Sequence, residues 1–133
     1  MNPPPFPTSA FDERAFIEKY PKPYLQREVI ELFGDELPSL IRKLRITLDN
    51  ENQRAAQIVS EMIEDVVGVF AANSSLDSAR QISLAIHESD FESAKEQFTP
   101  FVHELVQLRG DLRRYARQLL VADPNDATLN EAA

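Results

Sequence analysis

Asn52-Gln53-Arg54-Ala55-Ala56-Gln57-Ile58-Val59-Ser60-Glu61-Met62-Ile63-Glu64-Asp65-Val66-Val67-Gly68-Val69-Phe70-Ala71-Ala72 decides the fold. Ala55, Val59, Met62, Val66 and Phe70 recur at helical spacing, and Ile58, Ile63 and Val67 broaden the stripe. An apolar residue every three to four positions is what a helix with 3.6 residues per turn buries on one side. The spacing predicts a helix from about Asn52 to Ala72. Asp49-Asn50-Glu51-Asn52 is the turn before it, and Asn73-Ser74-Ser75 closes it. With Val59, Met62 and Val66 inward, Glu61 points outward.

Working outward, the same period continues on both sides. A fourth helix spans roughly Leu76 to His87, with Ala79, Ile82 and Ile86 inward. Ser89 or Asp90 caps a fifth, which carries Phe91, Ala94, Phe98, Phe101, Val102, Leu105, Leu108, Leu112, Tyr115 and Leu119. Pro100 predicts a kink in it, because proline removes a helical donor. Towards the N-terminus, a helix from near Tyr24 carries Leu25, Val29, Leu32 and Phe33, then Leu37, Leu40, Ile41, Leu44 and Leu48. Pro38 predicts a kink there, or a restart capped by Asp35. Ser9-Ala10-Phe11-Asp12 resembles a capping box and opens a short helix with Phe11, Phe16 and Ile17. Lys19-Tyr20-Pro21-Lys22-Pro23 breaks it.

Alternating β-branched runs are absent and glycines are few, which argues against strands. Short connections between long helices favour antiparallel neighbours. The expected fold is all-α: an up-and-down antiparallel four-helix bundle with a short additional N-terminal helix. Residues 9–122 form this bundle. Residues 1–8 read as a disordered Pro-rich arm and residues 123–133 as a flexible tail.

A chain of 133 residues is one domain's worth. It has no cysteine, which removes disulfide and thiolate chemistry. Its 22 acidic residues outnumber 14 basic ones, leaving a net charge of −8. Nucleic acid and anionic membrane surfaces need clustered cations, so neither is an expected partner. Apolar runs are too short to span a membrane, and the N-terminus lacks a secretory pattern. A cytoplasmic location is expected.

The sequence carries no recognisable catalytic constellation. The two histidines, His87 and His103, sit in no nucleophile-base arrangement. His87 ends the fourth helix, where an imidazole serves the helix dipole or solvent. His103 lies beside an apolar stripe, the setting of a structural histidine. No Glu-x-x-His pair, Gly-rich phosphate loop or His-Glu-x-x-His motif occurs. Glu61, Glu64 and Asp65 share one side of a helix, since residues three and four apart are neighbours. Such a cluster reads as a solvated face, with a weak divalent-cation site as the sharper alternative. The expectation is a non-enzymatic chain with no cofactor and no metal.

The order of segments resembles the histidine phosphotransfer family, the intermediates of multistep two-component relays, over about residues 11 to 120. Phe11-Asp12 resembles the family's opening. Val29-Ile30-Glu31-Leu32-Phe33 and Glu36-Leu37-Pro38-Ser39-Leu40-Ile41-Arg42-Lys43-Leu44 resemble its second helix, proline included. Asn52-Gln53-Arg54-Ala55-Ala56 resembles the start of its site-bearing helix, and Ser89-Asp90-Phe91-Glu92-Ser93-Ala94 its Gly-Asp-x-x-x-Ala step. The family signature, Ala-His-x-Leu-Lys-Gly, maps onto Ser60-Glu61-Met62-Ile63-Glu64-Asp65, with Phe70-Ala71-Ala72 as the downstream anchor. Ser60 and Ile63 fit. Glu61 stands where the phospho-accepting histidine belongs, Glu64 where the lysine belongs, and Asp65 where the glycine belongs.

What the resemblance implies is therefore a pseudo-phosphotransfer module. A glutamate has no nitrogen nucleophile, and Glu64 would repel a phosphoryl group where the family's lysine neutralises it. The implied function is protein binding in phosphorelay signalling, with a response-regulator receiver domain or a histidine kinase as partner. The implied partner surface is Ser60, Glu61, Glu64, Asp65 and Gly68. Three alternatives stand beside it: a helical scaffold or oligomerisation domain, an active phosphotransfer protein using His103 or His87, and an unrelated bundle that shares helical periodicity.

Overall fold

The computed structural model describes residues 11–70 and 73–122. The arm and tail expected at 1–8 and 123–133, and Ser9 of the expected capping box, lie outside the described residues. The described chain is all-helical with no strand. Its helices are α1 (Glu13–Lys19), α2 (Pro23–Asp49), α3 (Gln53–Gly68), α4 (Asn73–His87) and α5 (Phe91–Ala122).

Each start has a local cause. The Asp12 side chain caps α1 by accepting the Ala15 N–H at 3.0 Å. Pro23 opens α2, where its missing N–H costs nothing. Asn52 caps α3 by accepting the Ala55 N–H. Asp90 caps α5 through the Ser93 N–H at 3.1 Å, which resolves the choice between Ser89 and Asp90. Asn73, Ser74 and Ser75 begin α4 instead of closing α3, which already ends at Gly68.

Pro38 and Pro100 interrupt no helix. α2 runs from 23 to 49 without a restart at Asp35, and α5 runs through Pro100. Both prolines are exposed; the carbonyl that Pro38 leaves without a helical donor is that of Gly34, a buried residue, and the one that Pro100 leaves is that of Glu96, an exposed one.

The link from α4 to α5 is a tight reversal. Asp90 N–H reaches back to the Ala85 carbonyl at 2.8 Å and Ser89 N–H to the Ile86 carbonyl at 2.9 Å. This six-residue closure holds Ser89 at a φ of 57°, in the left-handed region that favours glycine. Ser89→Gly is therefore expected to stabilise the fold by up to about 1 kcal/mol. A chemical-denaturation midpoint that falls in the variant would contradict this conformation.

The four long helices contact in a ring: α2 with α3, α3 with α4, α4 with α5, and α5 with α2. Their shared interior holds Leu37, Leu40, Leu44 and Leu48 from α2 and Ile63 and Val67 from α3. Ile82 and Ile86 come from α4, and Leu105, Leu108 and Leu112 from α5. The face that α3 buries is rotated from the one its apolar spacing suggests. Ala56, Val59, Ser60, Ile63 and Val67 are inside, whereas Met62 is exposed and Ala55 and Val66 are only half-buried.

At one end α1 covers the bundle through aromatic packing. Phe16 is completely buried, with its ring 5.3 Å from Phe70 and 5.4 Å from Tyr20. Phe11 stands edge-on to Tyr115 at 5.3 Å, and Phe33 to Phe70 at 5.1 Å. Tyr115 donates its hydroxyl to Gln26 Oε1 at 2.6 Å, and Gln26 Nε2 donates to the Tyr20 carbonyl at 2.7 Å. One buried amide thus ties α5 to the end of α1. Burial, and secondarily the charge of Glu13, raises the Tyr115 hydroxyl's pKa above its ordinary 10.0.

Candidate functional site

The outward side of α3 and its seam with α4 hold every residue of the implied partner surface. Glu61 is exposed near the middle of α3, where its carboxylate accepts only a long contact of 3.5 Å from Gln57 of the preceding turn. Asp65, one turn further, is exposed and has no ion-pair or hydrogen-bond partner among the described residues, and Gly68 is exposed with open space beyond it. Ile63 points the opposite way and is buried.

Ser60 and Glu64 behave differently. Ser60 is 2% exposed, so it contributes no accessible surface. Its hydroxyl donates to the Gln57 carbonyl at 3.0 Å and lies 2.9 Å from the Ser83 hydroxyl of α4. Ser83 donates to Glu64 at 3.0 Å, and Arg80 stands 3.9 Å from the other oxygen of Glu64. Glu64 thus leans into the α3–α4 seam, and its charge is partly answered by Arg80. The acidic cluster read from the sequence divides: Glu61 and Asp65 face outward, and Glu64 joins a polar seam.

This seam was not legible in the sequence. Ser60 sits at an inward position of an apolar helix, and its partner is 23 residues away. The Gln57 carbonyl and the Glu64 carboxylate accept the two hydroxyl protons, so neither serine is left unsatisfied in the seam. The serine in Gln81-Ile82-Ser83-Leu84 lies beside a core position, and nothing local marks its partner.

Chemically the face offers carboxylates, amides and hydroxyls, and no imidazole. His87 and His103 are both exposed, on other helices. His87 is the last residue of α4, and its carbonyl accepts from Gln53 Nε2 at 2.9 Å. His103 neighbours Glu104, whose two oxygens are engaged by Ser78 at 3.0–3.1 Å. Among the described residues no group of three or more acidic or histidine side chains is placed to hold a metal ion. A hollow of about 340 Å³ between α4 and α5 is lined by Ser78, Gln81, Glu96, Gln97, Pro100 and Phe101, with no residue of α3. Among the described residues no helix is long and apolar enough to cross a membrane.

The chain matches no known family model, no curated protein and no solved structure.

Proposed function

We propose that this chain is a histidine phosphotransfer-like bundle that binds a partner protein of a phosphorelay, a receiver domain, without accepting phosphate. The observation that carries the reading is the orientation of the signature stretch. Ser60 and Ile63 are buried and Glu61 is exposed in mid-helix, which is the arrangement a presented phospho-acceptor position requires. Ser89 adds to it: its left-handed backbone is the conformation that the glycine of the family's Gly-Asp step would favour.

The proposed topology is up-and-down. Residues 50–52 and 88–90 link successive helices, and such short links favour antiparallel neighbours. The proposed location is the cytoplasm, where receiver domains work.

Glu61 presents one carboxylate, whereas a phosphoryl group carries more charge and three acceptor oxygens. The module therefore docks constitutively rather than on phosphorylation. The experiment is transfer from a panel of phosphorylated receiver domains to the natural chain and to Glu61→His, alongside retention of the same domains with and without Mg²⁺. Specific retention by the natural chain without transfer is the expected result. Absence of any retained receiver domain sinks the proposal. Transfer to the natural chain that is lost on replacing His103 or His87 makes it an active relay protein instead.

A further inference from the structure

Charge is divided between two opposite corners of the helix ring. On α3 the outward face carries Glu61 and Asp65, with Arg54 as its cation two turns earlier than Glu61. On α5 one stripe carries half-buried Arg109 and exposed Arg113 and Arg117, while the acids of this stretch, Glu104 and Asp111, lie off the stripe, engaged by Ser78 and Arg114. Among the described residues none of these three arginines has an ion pair, not even with Glu31 or Asp35 of neighbouring α2. Two of them, Arg109 and Arg113, lie against Gly34 of α2. A Cβ there would stand 3.4 Å from Arg113 Nη2 and 3.6 Å from Arg109 Cδ, so the glycine gives the guanidinium groups a shelf.

Both faces also expose apolar side chains: Ile58 at 52% and Met62 at 44% on α3, Val106 at 46% and Leu120 at 44% on α5. The two sequences share a spacing. With the helices parallel, Ile58 falls level with Val106, Glu61 with Arg109, Met62 with Gly110, and Asp65 with Arg113. Gly110 is exposed with open space around it, which leaves room at the level of Met62.

We infer that the chain self-associates head to tail, the α3 face of one copy docking on the α5 stripe of the next. Face-to-face use of either patch would oppose like charges, so only the unlike pairing is compatible. Because α3 and α5 do not adjoin in the ring, the two patches look in different directions and the contact does not close on itself. Exposed ion pairs contribute little singly and are screened by salt, and the net charge of −8 opposes approach. The association is therefore weak, and it depends on the apolar pair at its edge. It goes beyond receiver binding and does not rest on it.

The test is sedimentation of the full chain over rising concentration at about 0.1 M and about 1 M salt, where the screening length falls from about 10 Å to about 3 Å. The weight-average mass is expected to rise with concentration at low salt and to fall back at high salt. Arg109→Glu with Arg113→Glu, or Glu61→Arg with Asp65→Arg, gives a monomer. The chain carrying all four substitutions associates again, a recovery that mere damage to the fold would not produce. A second measurement is independent of that chain's folding. Mixing Glu61→Gln/Asp65→Asn protein with Arg109→Gln/Arg113→Gln protein yields a one-to-one complex and nothing larger. A strictly monomeric natural chain overturns the inference, as does association indifferent to either face or a mixture that stays monomeric.

Discussion

Replacing Phe70 with alanine is expected to destabilise the protein by about 3–5 kcal/mol, the range for emptying a packed aromatic site. Phe70 is 1% exposed and stands where three segments meet. Its ring lies 5.3 Å from Phe16 of α1 and 5.1 Å from Phe33 of α2, and its carbonyl accepts the Asp12 N–H at 3.2 Å. Each edge-on aromatic pair adds about 0.5–1.5 kcal/mol beyond area burial. The surroundings cannot collapse easily, because α2 and α3 are fixed by the leucines and isoleucines below. Urea denaturation reads the effect as a fall in midpoint at unchanged slope. A loss under about 1 kcal/mol would mean that the aromatic end is not coupled to the bundle.

Gln26→Ala is expected to cost about 2–6 kcal/mol, as the Tyr115 hydroxyl and the Tyr20 carbonyl each lose their partner at about 1–3 kcal/mol apiece. Gln26 is 2% exposed, and its amide joins the Tyr115 hydroxyl to the Tyr20 carbonyl. Tyr115→Phe removes only the first link and should cost less. Made together, the two substitutions should cost less than their sum, since they share one bond. The same network fixes a pH dependence. Burial raises the Tyr115 pKa in the folded state above its unfolded value, so the folded state holds its proton where the unfolded state has released it. Stability from this group is complete below pH 10.0 and is lost as pH rises through the folded pKa. Denaturation midpoints measured from about pH 9 to about pH 12 should fall more steeply for the natural chain than for Tyr115→Phe. Parallel curves would contradict the burial of this hydroxyl.

The five helices and most of their inward residues follow from apolar spacing. Ala79, Ile82 and Ile86 of α4, and Leu105, Leu108 and Leu112 of α5, are buried where the period places them. On α3 the period is ambiguous, because Ile58, Met62 and Val69 continue the apolar character almost around the helix. A stripe through Met62 and one through Ile63 then fit equally well. The interior takes Ile63, and Ser60 beside it is buried with it, 2.9 Å from Ser83 across the seam. Partnerships of that kind are not local. Tyr115 and Gln26 lie 89 residues apart, and neither residue alone announces a buried bond. Of the two readings of Pro38, the restart capped by Asp35 is not the one taken, since α2 runs through the proline as a single helix. The outward position of Glu61 was legible, since α3 places it away from either candidate stripe. That Glu64 would lean towards Arg80 was not.

Unequal helix lengths set a hierarchy of opening. α3 and α4 have 16 and 15 residues, whereas α2 and α5 have 27 and 32. At 1.5 Å per residue the longer pair outreaches the shorter by roughly 15–25 Å. Among the described elements only the seven-residue α1 covers that overhang, through Phe16. Amide protons near Leu44, Ile82 and Leu105, inside the ring of four, exchange with solvent only when the whole molecule unfolds. Those near Gln26 and Tyr115, whose packing and side-chain bonds depend on α1, are expected to exchange through a smaller excursion of lower free energy. The two ends of one continuous α5 thus belong to different cooperative units, and the boundary between them runs through a helix that the backbone draws as uninterrupted.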